Sequence, residues 1–124
     1  SSLIGAANIN VSDFCNISSR VSIYSSSDDY SGSTLTNPMV PDQYKNVLHA
    51  PVFLGKHVIV GSGSVILPGI KIEEGVAIGA LSLVTEDCES FYIYAGTPVR
   101  RLKARKRDLL KFEQSYLRSK KQRA

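Results

Sequence analysis

The sequence predicts an all-β chain wound as a parallel β-helix of hexapeptide repeats, with a projecting loop and a C-terminal α-helix. Three observations predict it. Between Leu54 and Val84 a branched apolar residue returns at every sixth position: Leu54, Val60, Ile66, Ile72, Ile78 and Val84. A second, mostly smaller set follows four residues later in each hexad: Val58, Ser64, Ile70, Val76, Ser82 and Cys88. Gly55, Gly61 and Gly79 come directly after three members of the first set. A period of six fits neither the helix repeat nor plain strand alternation. It fits a chain that turns a corner after every short strand, and repeats of this length are a β-helix signature.

Three hexads make a triangular coil of about 18 residues, and coils stack as parallel strands about 4.8 Å apart. The first set then points to one axis, each residue stacked on its equivalent in the next coil. Val and Ile suit this because their χ1 is already restricted. The second set lies near corners, where a compact side chain fits. Glycine serves corners where the backbone needs positive φ. One repeat cannot bury its apolar face alone, so the stack is the core.

The chain opens with the same rhythm. Val11, Ile17 and Ile23 continue the first set, and Ile9, Cys15, Val21 and Ser27 the second. Gly5 interrupts it, which marks an end cap or a truncated start; the absence of an initial Met points the same way. Residues 28–51 carry three prolines and many polar residues with no period, which is loop composition. A loop of that length within a compact domain is usually functional. Residues 52–89 are the regular coils, with corners expected at Pro68-Gly69 and Glu74-Gly75. Residues 90–98 close a β-helical unit spanning 1–98. Residues 99–124 form a helical extension with a basic tail, in which Leu109, Phe112 and Tyr116 recur at helical spacing and Asp108 stands near the helix start.

Composition narrows the classes. At 124 residues the chain is one domain by length, 43% apolar and without Trp, which suits a thin core of Val and Ile. The net charge of +4 is mild, but Arg and Lys gather after residue 99. That cluster fits a solvated helix or a phosphorylated small molecule. Nucleic-acid binding is disfavoured, because aromatic residues do not interleave the charges and acidic residues stand nearby. Cys15 and Cys88 are too few for a disulfide scaffold and read as small core residues of a protein in the reducing cytoplasm. No apolar run is long enough to span a bilayer, and no metal-ligand spacing is present.

Four runs carry a resemblance: 54–61, 66–70, 78–85 and the closing Tyr94-Ala95-Gly96-Thr97-Pro98-Val99-Arg100. Over about residues 11–105 the chain resembles the hexapeptide-repeat acyltransferases, whose fold is a left-handed parallel β-helix, and within them the sugar and xenobiotic O-acetyltransferase branch. The resemblance implies left-handed coils and a homotrimer with active sites between subunits. It also implies acetyl-CoA as cosubstrate and a sugar-like acceptor taking the acetyl group on a hydroxyl or amino group. The pantetheine arm would follow Gly61, Ser62, Gly79, Ala80 and Ser82. Thr97 and Pro98 would meet the adenine, and Arg100, Arg101 and Lys103 the phosphates, to which Arg binds strongly and often bidentately. The bland reading of the same residues is that the glycines only serve corners and the cations only solvate a helix.

Acyl transfer needs a base for the acceptor's proton and a donor for the oxyanion. Histidine titrates in the useful range, and the chain has two, His49 and His57. His57 occupies a hexad corner, where it is expected to face outward; His49 ends the long loop. Where the resembling enzymes place a histidine after the early coils, this chain has Asp28-Asp29-Tyr30. Two repairs of the site are open. In the preferred one Asp29 fixes the tautomer of His57, as carboxylates do in other pairs; in the other His49 swings in from the loop. The departure also keeps alive a non-catalytic β-helix subunit or a homologue with a degenerate site.

Overall fold

The computed structural model describes residues 2–5, 7–27, 39, 41, 43 and 48–123. Short strands stack into three parallel sheets. The first holds β1 (Ser2–Ile4), β4 (Ser22–Tyr24), β9 (Val65–Ile66) and β12 (Leu83–Val84), in the order β1-β4-β9-β12. The second holds β2 (Ile9–Val11), β7 (Val52–Leu54) and β10 (Lys71–Ile72), extended by a parallel bridge from Ile72 to Cys88. The third holds β3 (Asn16–Ile17), β8 (Ile59–Val60), β11 (Ala77–Ile78) and β13 (Tyr92–Ala95). The chain visits the sheets in rotation, so Leu54 pairs with Ile72, Val60 with Ile78 and Ile66 with Val84. These partners are 18 residues apart, the length of three hexads.

The hexad pattern predicts the core. Leu54, Val60, Ile66, Ile72 and Val84 are fully buried and Ile78 nearly so. The second set is buried too: Val58, Ser64, Ile70, Val76, Ser82 and Cys88. Glycine appears with positive φ at the expected corners, Gly69 at 79° and Gly75 at 75°. The first coil is the exception. Val11 is 41% exposed because it lies on β2, the edge strand of its sheet.

The long loop leaves after β4 and is bypassed. Val11 pairs with Leu54, Ile17 with Val60 and Ile23 with Ile66, so the chain resumes its phase after the excursion. At the neck of the loop, β5 (Ser26–Ser27) and β6 (Leu48–His49) form a two-stranded antiparallel ladder.

The C-terminal extension opens with a strand ahead of its helix. Arg100–Ala104 form a strand, β14, antiparallel to β13. An antiparallel strand closes the open edge of the third sheet, satisfying backbone groups that would otherwise face solvent. The helix α1 then runs Leu109–Arg123, with the Asp108 carbonyl accepting from the Lys111 amide at 3.0 Å. Phe112 is 75% exposed and Tyr116 55%, while Leu109, Leu110 and Glu113 turn inward.

Candidate active site

The triangular section has three corners, and each is finished differently. At the first, between the second and third sheets, Phe14, His57, Gly75 and Phe91 rise one above another, all with φ between 57° and 75°. Gly75 is required there, since an added Cβ would lie 2.4 Å from the Phe91 ring. The C-terminal segment straps this corner. Arg105 Nη1 donates to the carbonyls of His57 and Gly75 at 2.7 and 3.0 Å, and the Arg107 guanidinium lies 4.3 Å over the Phe91 ring. Helix α1 covers the rest. His57 Nε2 lies 3.3 Å from Glu113 Oε2, its ring stacks on Phe14 at 5.1 Å, and Tyr116 meets Phe14 edge-on.

His57 therefore sits at a corner as expected but does not face outward. Its side chain is 9% exposed, because α1 folds back over it. The carboxylate against it is Glu113. Asp29, the expected partner, lies outside the described residues, as do Asp28 and Tyr30.

At the corner between the first and second sheets, β5 and β6 bring Ser26 opposite His49. Ser26 Oγ and His49 Nδ1 are 2.6 Å apart, and His49 is exposed. A hydrogen bond to Nδ1 fixes which way the imidazole presents Nε2. No partner of His49 is legible in the sequence; the antiparallel neck supplies one.

The remaining corner, between the third and first sheets, is bare. Ser62, Ala80, Thr97 and Pro98 are exposed, and Leu81 is 76% exposed with φ 57°. Gly61 and Gly79 bring successive coils close: a Cβ on Gly61 would lie 2.5 Å from the Ala80 amide nitrogen. Both glycines thus serve coil stacking, whatever else lies against them. Ser82 is not presented to solvent. It is 2% exposed, and its hydroxyl donates to the Gly79 carbonyl at 2.7 Å and accepts from the Gly96 amide at 3.2 Å. It holds the backbone of this corner from inside.

The three cations follow on β14, all exposed. Arg101 is engaged, with Nη1 3.2 Å from Glu89 Oε2 and its guanidinium 4.6 Å over the Tyr92 ring. The cysteines are not presented as nucleophiles. Burial pushes the Cys88 thiol up to about 12, helped by Glu86 and Asp87, and burial raises Cys15 as well. Both thiols stay protonated near neutrality, and the thiolate is the reactive form.

The fold thus gathers Gly61, Ser62, Gly79, Ala80, Thr97 and Pro98 on one corner and leaves the two histidines on the other two. Within one chain, no corner holds both a histidine and the bare glycine backbone.

No family model matches the chain. Individual proteins do. It is 51% identical over 113 residues to dTDP-4-amino-4,6-dideoxy-D-glucose acyltransferase of Escherichia coli, covering 91% of this chain and 59% of that relative. Among solved structures, AntD is an N-acyltransferase from Bacillus cereus, determined with dTDP and 3-hydroxybutyryl-CoA. It superposes with a TM-score of 0.91 at 45% identity, over 98% of this chain and 69% of its own. A maltose O-acetyltransferase from Clostridium difficile 630 shares the fold at 21% identity and a TM-score of 0.60, over 85% of this chain and 66% of its own. The stacked parallel sheets and hexad core are those of a hexapeptide-repeat protein, and the identity to these relatives shows the family: the chain is a member of the hexapeptide-repeat acyltransferase family. The chain spans about three fifths of the length of the Escherichia coli relative.

Proposed function

We propose that the chain is the catalytic part of an acyl-CoA-dependent acyltransferase whose acceptor is an amino sugar carried on a nucleoside diphosphate. The fold it uses is a left-handed parallel β-helix assembled as a homotrimer. Acetyl-CoA is the simplest donor, and the 3-hydroxybutyryl-CoA held by AntD makes a longer acyl chain equally compatible. The observation that carries the reading is the division of labour among the corners. One is closed by α1, one presents His49 beside the loop neck, and one is bare backbone. A corner presenting His49 on one subunit and a bare corner on the next would complete a site that one chain lacks.

In that site the acceptor nitrogen attacks the thioester carbonyl, the C–S bond breaks, the nitrogen loses a proton and CoA leaves as the thiol. The pantetheine arm lies along Gly61, Ser62, Gly79 and Ala80, with Thr97 and Pro98 beside the adenine and Arg100, Arg101 and Lys103 near the phosphates. Of the candidates for the base, His49 is the histidine left exposed. In the tautomer whose Nδ1–H donates to Ser26 Oγ, Nε2 carries the lone pair that accepts the proton. Attack by a sugar hydroxyl is the alternative, supported by the likeness to galactoside O-acetyltransferase of Lactococcus lactis, 37% identical over 67 residues.

The test is thiol release from acetyl-CoA and 3-hydroxybutyryl-CoA with dTDP-4-amino-4,6-dideoxyglucose or its 4-hydroxyl counterpart as acceptor. Turnover with the amine alone is the expected result, and turnover with the hydroxyl alone would select the O-acyl reading. The non-catalytic reading requires that neither acceptor releases thiol. His49→Ala should lower kcat about 10²-fold; an unchanged kcat would assign the proton to the leaving thiolate.

A further inference from the structure

The outer face of the second sheet carries an aromatic side chain where a solvated strand would place a polar one. Phe53, in the middle of β7, is 39% exposed. Two recesses meet at it. One, of about 420 Å³, is lined by Asn10, Pro51, Phe53, Gly69, Ile70 and Lys71. The other, of about 360 Å³, shares Phe53 and Lys71 and continues to Ser12, Lys56, Glu73 and Ser90. Pro51 lines one recess and Gly55 the other, and along an extended strand they are roughly 13 Å apart at 3.3 Å per residue. Together the recesses form one elongated groove across the sheet, starting two residues beyond His49.

Its chemistry changes along its length. Among the described residues, Lys71 is the one charged side chain lining the recess at Pro51, while the far recess holds Lys56 as well as the carboxylates of Glu73 and Glu74. Lys71 itself is held loosely, its Nζ 3.8 Å from Glu73 Oε1 with both side chains about half exposed. Such pairs contribute little, so the ammonium is available to a stronger anion. A phosphate is favoured at the middle and the Pro51 end, where the charge is that of Lys71, over the far end, where Glu73 and Glu74 offset Lys56. A neutral planar base would be accepted at the far end, against the face of Phe53 and the hydroxyls of Ser12 and Ser90. The sugar would then point toward Pro51 and His49.

We propose that this groove binds the nucleoside diphosphate of the acceptor, with Phe53 stacking the pyrimidine and Lys71 neutralising the diphosphate. The proposal rests on the sugar-nucleotide reading above and fixes where on this chain the nucleotide lies.

Isothermal titration calorimetry with dTDP, thymidine and coenzyme A tests it on the wild-type chain and on Phe53→Ala and Lys71→Gln. Both side chains are exposed, and far-ultraviolet circular dichroism verifies that the variants fold. Phe53→Ala should weaken dTDP and thymidine alike, by about tenfold for a lost stacking platform. Lys71→Gln should weaken dTDP by about tenfold or more and leave thymidine unchanged. Neither should change coenzyme A affinity. Folded variants that bind dTDP within twofold of wild type would overturn the groove, as would a wild-type chain that acylates the amine but binds no dTDP. Binding of dTDP that needs Phe53 and Lys71, in a chain that cleaves no thioester, would uphold the groove and sink the acyltransferase reading instead.

Discussion

His57 and Glu113 meet beneath helix α1 with Nε2 and Oε2 3.3 Å apart, their side chains 9% and 13% exposed. The contact joins a hexad corner to a helix that begins long after the coils end. Phe14 stacks on the far side of the imidazole, and Lys56 Nζ stands 3.8 Å from the other carboxylate oxygen. This geometry makes His57 the seat of the helix. His57→Ala should lower stability by about 2–3 kcal/mol, since it strips a nearly buried carboxylate of its neighbour and opens a gap against Phe14. In urea unfolding the midpoint should fall, and limited proteolysis should cut first within α1. Turnover of the folded variant should change by less than about threefold, against the 10²-fold loss typical of a missing general base. A large loss of kcat at unchanged stability would return the base to His57.

The core makes a sharper prediction. Ile66 is fully buried, paired in register between Ile23 and Val84. Ile66→Asp places an unpaired charge between stacked coils and should abolish the folded state. Ile66→Ala should cost about 2–5 kcal/mol through the cavity it leaves. Val11 belongs to the same apolar set but is 41% exposed, so Val11→Asp should cost less than about 1 kcal/mol. Thermal melts followed by circular dichroism compare the three. A folded, active Ile66→Asp variant would mean that the inward phase is misassigned.

That contrast shows what the sequence could carry. The hexad period names Leu54, Ile66 and Ile72 as core because stacking is local and repeats itself, and every one is fully buried. It names Val11 as well, since a period cannot tell which coil lies at an edge. The C-terminal contacts were beyond its reach for a different reason. Glu113 meets His57, and Arg105 reaches the carbonyls of His57 and Gly75, through a chain reversal that no periodicity encodes. The helical spacing of Leu109, Phe112 and Tyr116 marks the helix, but it does not reveal that Glu113 docks against His57. The Ser26–His49 pair was hidden by the loop between them, which breaks the register from which neighbours could be counted. Gly61 and Gly79 were legible as small residues at a corner, but close coil approach and ligand approach ask for the same residue.

Two inward serines should respond oppositely to the same substitution. Ser25 Oγ is fully enclosed and has no hydrogen-bond partner among the described residues. Ser25→Ala removes an unsatisfied hydroxyl and should be neutral or stabilising by up to about 1 kcal/mol. Ser82 Oγ bonds the Gly79 carbonyl and the Gly96 amide. Ser82→Ala leaves both without that partner and should cost about 1–3 kcal/mol. It should also loosen the bare corner, raising the KM for acyl-CoA along with the loss of stability. Denaturant titration of the pair decides this, and equal costs would mean that the Ser82 bonds contribute nothing net.

The cations after Pro98 give the last prediction. Arg100, Arg101 and Lys103 lie on β14, and Arg101 is already engaged by Glu89 and Tyr92. If the strand faces the CoA phosphates, Arg100 and Lys103 should carry more of the contact than Arg101. Arg100→Ala with Lys103→Ala should raise the KM for acetyl-CoA and leave kcat nearly unchanged, because phosphates remote from the thioester are bound alike in ground and transition states. Each lost charge-assisted bond should cost at most about 1.5–3 kcal/mol, and less where solvent reaches it. The effect should shrink at high salt, which screens exposed charges. Arg101→Ala should act instead on stability, since its partners lie within the chain. Dephospho-CoA thioesters are the decisive probe. Their penalty relative to CoA thioesters should largely vanish in the Arg100/Lys103 double variant; an equal penalty in wild type and variant would mean that neither cation meets the 3′-phosphate, and that β14 serves only to close the edge of its sheet.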